Sequence, residues 1–83
     1  MKSTTENAVK SEVKGYLKLN GWYVWHNLQG IGCYPGLADL TAVKDGVVLF
    51  IECKTKKGRL LDVQKYFDIT LLDHGGHYVV ATR

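Results

Sequence analysis

Cysteine and proline are scarce in this chain, and long apolar runs are missing. Each shortage excludes something. Two cysteines, Cys33 and Cys53, without a paired spacing argue against the disulfide framework of a small secreted protein. Three histidines, His26, His74 and His77, do not combine with those cysteines into the short paired spacings of structural zinc. No apolar stretch is long enough to span a bilayer, and the first residues lack a signal peptide's apolar core. No repeat, low-complexity tract or linker interrupts the chain, and Pro35 is its single proline. A cytoplasmic, reducing location without membrane contact is the expectation.

What is present is the composition of a folded globular protein, 46% hydrophobic and 23% charged. A length of 83 residues suits one small domain, 1–83, marginal on its own and helped by a partner subunit. The formal charge of +3 permits a polyanionic partner without proving one.

Helical and strand periods alternate along the chain. Ser3 followed by Glu6 fits a capping box, and Val9, Val13, Tyr16 and Leu17 recur at helical spacing. Asn20-Gly21 ends that helix in the manner of a left-handed cap. Lys10, Lys14 and Lys18 run along another side of it, either as a solvated face or as a row that lies along phosphates. Residues 22–27 read as a first strand, and Trp22, Tyr23 and Trp25 as core or subunit interface. Strands over 37–44 and 47–55 follow, then a basic loop with Lys56, Lys57 and Arg59. Asp62 is the candidate N-cap of a second helix with Val63, Tyr66, Phe67, Thr70 and Leu71 on one face. Gly75-Gly76 ends it, and 77–82 form a last strand. The order α-β-β-β-α-β makes the second helix a crossover, with the last strand parallel to 47–55 in a mixed sheet.

The chemistry converges on one hairpin. Asp45-Gly46 between two β-branched runs signals a two-residue loop, which puts Lys44 opposite Val47. Asp39 then falls opposite Glu52, and Lys54 lies on the same face two residues on. Two carboxylates facing each other beside an apolar run repel and lose hydration, unless a divalent cation sits between them. Mg²⁺ is often held by only one or two carboxylates, with water and substrate phosphate in its remaining positions.

Gly36-Leu-Ala-Asp39, Glu52-Cys-Lys54 and Gln64 after a basic loop resemble the PD-(D/E)XK nuclease superfamily. With Glu6 ahead of the first helix, Gly-Trp-Tyr-Val-Trp25 and Phe50-Ile-Glu-Cys-Lys-Thr55, the chain is more narrowly similar to the virus-type replication-repair nuclease (VRR-NUC) family, in its stand-alone phage-type form. Two positions depart from the pattern: Ala38 stands where the family usually has proline, and Leu61 where it often has serine.

The resemblance implies an α/β restriction-endonuclease-like fold and metal-dependent cleavage of DNA, in a bacterial or phage-infected cell. Asp39 and Glu52 would bind Mg²⁺ or Mn²⁺ with the backbone carbonyl of Cys53, and no organic cofactor is expected. Lys54 would hold the attacking water, and Gln64 would orient Lys54 or that water. Glu6 would be an outer-shell or second-metal carboxylate, a role it cannot fill in the rotamer that caps Ser3. The loop residues Lys56, Lys57 and Arg59 would hold the phosphate backbone, joined by Lys10 and Lys14. A homodimer cutting branched DNA, notably four-way junctions, is the expected assembly and substrate. The alternatives are a catalytically silent DNA-binding module of the same fold and a nuclease acting on flap or duplex DNA or on RNA.

Overall fold

A computed structural model describes residues 5–82. The elements are α1 (Glu6–Leu19), β1 (Tyr23–His26), β2 (Leu40–Lys44), β3 (Val47–Lys54), α2 (Asp62–Asp73) and β4 (His77–Thr82). One sheet of order β1-β2-β3-β4 results, antiparallel except for the parallel β3–β4 pair that α2 bridges. The expected order and mixed sheet are therefore met.

Local chemistry sets the boundaries. Thr5, not Ser3, caps α1: its Oγ1 accepts from the Ala8 N–H at 3.1 Å, while Ser3 lies outside the described residues. At the other end Gly21 takes φ 85°, the Trp22 N–H reaches the Leu17 carbonyl and the Gly21 N–H that of Lys18. That pair of bonds is a Schellman ending. In the hairpin Asp45 and Gly46 both have positive φ, 51° and 80°, as a type I′ turn requires. The register pairs Lys44 with Val47 and Leu40 with Ile51, so the tight turn fixes every later position as expected.

Side-chain alternation divides the sheet into two faces. Val24, Leu40, Ala42, Ile51 and Cys53 join Val9 and Leu17 of α1 in the buried core. Tyr16 was expected in that stripe but is 65% exposed, because β4 is the sheet's last strand among the described residues. The opposite face is only partly covered. There Phe67 of α2 meets Tyr34, Phe50 and Tyr78, with ring centroids 5.6–6.1 Å apart.

Two expectations for α2 need correction. Its N-cap is Leu61, with Asp62 already helical, and Val63 and Tyr66 point to solvent. The cause is Gln64, whose Oε1 accepts from the Leu61 N–H at 2.8 Å and turns the Gln64–Phe67–Leu71 side inward. Beyond the reach of α2, Tyr23 and Trp25 stack on the open face of β1 and remain exposed, whereas Trp22 packs against the core.

Candidate active site

Asp39 immediately precedes β2, where the ladder with β3 ends. The next free N–H of β3, that of Cys53, donates to Asp39 Oδ2 at 2.8 Å. The segment that carries Asp39 is latched by the residues after β1. Asn27 donates from Nδ2 to the Ala38 carbonyl (2.9 Å) and from its backbone N–H to the Asp39 carbonyl (2.9 Å), and accepts from Thr41 Oγ1 (2.8 Å). Gln29 Nε2 donates to the Leu37 carbonyl at 2.9 Å. Nothing in the sequence marked Asn27 as more than the last residue of the first strand, which in fact ends at His26.

On the other side of the same segment, Gly36 passes against the start of α2. A Cβ there would lie 2.1 Å from the Val63 carbonyl oxygen, and φ is +80°, so only glycine allows this approach. Asp39 and the first turn of α2 are thereby held to one another.

Glu52 and Lys54 follow from the alternation of β3. They share the face that α2 covers, while Cys53 between them points its thiol into the core. Glu52 Oε2 accepts from Gln64 Nε2 at 3.3 Å and lies 3.7 Å from Lys54 Nζ. The Lys54 stem is covered by Gly58, where a Cβ would come within 3.3 Å of Cδ. Gln64 thus has two bonds, one to the start of its own helix and one to Glu52.

These side chains are buried, with relative exposures of 5% for Asp39, 1% for Glu52 and 8% for Lys54. Burial and then the neighbouring Asp39 carboxylate push the Glu52 carboxyl up to about 8, with Lys54 pulling the other way. The Cys53 thiol is pushed up to about 12 by burial and then by Asp39 and Glu52. The Tyr78 hydroxyl is raised chiefly by burial, with Glu52 adding to it, and it is buried without a partner.

Glu52 Oε1 is also buried without any hydrogen-bond partner. A buried carboxylate oxygen left unpaired beside a second carboxylate is destabilising. Among the described residues no three His, Cys, Asp or Glu side chains gather in one place. The donor set is therefore two carboxylates with oxygen only. That suits a hard cation that keeps much of its water, and a divalent charge would relieve both the orphaned oxygen and the raised carboxyl.

The remaining expected site residues lie around this cluster. Glu6 is exposed at the start of α1; its charge adds to the rise at Glu52, as the smallest contribution. Lys10, read from sequence as part of a basic row, instead reaches inward, with Nζ 3.5 Å from Asp39 Oδ1. Lys14 is half-buried further along α1. Lys56, Lys57 and Arg59 are exposed in the loop that leaves Lys54.

This core, with its carboxylates at the carboxyl end of β3, is a restriction-endonuclease-like fold. No protein-family model matches the sequence, and neither does any curated protein. A solved structure described as a VRR_NUC domain superposes with a TM-score of 0.79 over 96% of this chain and 87% of its own, at 24% identity. The chain has the fold of a VRR_NUC domain.

Proposed function

We propose that this chain is a nuclease of the VRR-NUC family, a metal-dependent endonuclease that hydrolyses phosphodiester bonds in DNA. The observation that carries the reading is the convergence of the buried Asp39, Glu52 and Lys54 with the half-buried Gln64, Glu52 Oε1 being unpartnered. Asp39 and Glu52 would hold Mg²⁺ or Mn²⁺, with the Cys53 carbonyl as the backbone ligand. Bound there, the cation supplies charge neutralisation at the scissile phosphate and lowers the pKa of a coordinated water.

The chain's own groups do the rest. Lys54, its stem packed under Gly58, positions the attacking water and offsets negative charge growing on the phosphoryl oxygens. Gln64 fixes the Glu52 carboxylate through Oε2. Glu6 stands at the rim as an outer carboxylate. Water oxygen bonds to phosphorus as the P–O3′ bond breaks; the water gives up a proton to solvent and the leaving 3′ oxygen takes one up, leaving 5′-phosphate and 3′-hydroxyl ends. The loop residues Lys56, Lys57 and Arg59, with Lys14 on α1, hold the phosphate backbone.

Branched DNA, with a four-way junction as the preferred form, is the substrate we assign, cut by a homodimer. Uncovered apolar surface supports a second copy: Tyr16 and Val79 line a groove between α1 and β4, and Tyr23 and Trp25 lie open on the other face. The test uses labelled junction, flap and linear duplex DNA with Mg²⁺, Mn²⁺ or EDTA. Cleavage in either metal, first of the junction, is expected. No cutting of any substrate in either metal would overturn the reading.

A further inference from the structure

We infer that Lys10 is a stand-in cation: its ammonium neutralises Asp39 in the metal-free protein and is displaced when a divalent cation takes that carboxylate. Lys10 is then a positioning residue that sets how tightly the site holds metal. The identity of the cation rests on the nuclease reading above; the Lys10–Asp39 pair rests on geometry alone.

Three observations carry it. Asp39 Oδ2 is already committed to the Cys53 N–H at 2.8 Å, so Oδ1 is the oxygen left for a cation, and Lys10 Nζ faces that atom at 3.5 Å. Lys10 and an incoming metal therefore compete for one oxygen. Second, the site without metal already holds at least one positive charge for each carboxylate: Lys10 faces Asp39 and Lys54 faces Glu52. A divalent cation added to that set leaves at least two excess positive charges within a few ångströms, a strong repulsion inside a poorly screened site. Third, only one of the two ammoniums is free to leave. The Lys54 stem is packed beneath Gly58, whereas the Lys10 side chain is 23% exposed on the surface of α1, against 4% for its partner carboxylate. Glu6, one turn before Lys10 in the first turn of α1, favours keeping the ammonium nearby once released.

The test reads metal and stability separately. Mn²⁺ uptake is titrated by electron paramagnetic resonance at low salt for the wild type, Lys10→Gln and Lys10→Arg. Lys10→Gln is expected to bind Mn²⁺ roughly tenfold more tightly, with Lys10→Arg close to the wild type. In EDTA, Lys10→Gln is expected to lower the melting temperature, and the loss is expected to vanish in an Asp39→Asn background.

Unchanged or weaker Mn²⁺ binding in Lys10→Gln overturns the inference, as does an equal loss of stability in both backgrounds. Absence of Mn²⁺ uptake by every variant, with the coupling in EDTA intact, removes the metal site and the displacement with it. Intact uptake without coupling removes the role of Lys10 alone.

Discussion

Glu52 is the residue at which stability and chemistry oppose each other. The residue is 1% exposed, and its carboxyl has one unpartnered oxygen and faces Asp39, so ionising it in the metal-free fold is unfavourable. The folded state holds the proton up to about pH 8, whereas the unfolded chain releases it near 4.5. The folded state thus binds more protons between those values, and stability falls as pH rises through that window. Thermal unfolding in EDTA is expected to show the melting temperature dropping from about pH 5 to 8 and levelling above it. Glu52→Gln removes that titration while keeping the shape. It is expected to raise the metal-free melting temperature at pH 8 and to flatten the profile. An unchanged slope in Glu52→Gln would assign the pH dependence to other groups.

Among the elements, the turn and register of the hairpin were legible in the sequence, although β2 begins at Leu40 and not at residue 37, and the orientation of α2 was not. Asp45-Gly46 sets the register by itself, since a two-residue type I′ loop leaves no freedom in which residues face each other. The convergence of Asp39, Glu52 and Lys54 follows from that turn and from strand alternation. The rotation of α2 follows from a side chain instead. Gln64 caps the Leu61 N–H and binds Glu52, which leaves Val63 and Tyr66 outward although their spacing matches a buried stripe. Lys10 was hidden for a related reason: a row of lysines four apart looks the same whether all or none reach inward. Asn27 was hidden because its bonds span segments that only the fold brings together.

One glycine joins these elements. Gly36 carries the turn that leads to Asp39 past the first turn of α2, with room for no side chain. Gly36→Ala forces a left-handed backbone on alanine and a clash with the Val63 carbonyl, so a loss of about 2 kcal/mol or more is expected in denaturant unfolding. The same substitution is expected to weaken Mn²⁺ uptake, because Asp39 and Gln64 separate. A neutral Gly36→Ala would mean that the loop and helix adjust independently.

For the whole molecule, a formal charge of +3 is modest, so its placement decides more than its size. Lys56, Lys57 and Arg59 stand exposed in the loop that follows Lys54, at the carboxyl end of β3 where the carboxylates gather. Binding of junction DNA in Ca²⁺ is expected to weaken with salt, and replacing all three residues by alanine to lower the log–log slope by about 3. An unchanged slope would place the phosphate contacts elsewhere.

If the two buried carboxylates form a cation-dependent hydrolytic centre, strand scission by Glu52→Gln beside the wild type in Mn²⁺ exposes it. The wild type is expected to cut, and the variant, folded and more heat-resistant without metal, to cut at least about a hundredfold more slowly. Equal rates for the two proteins would contradict it.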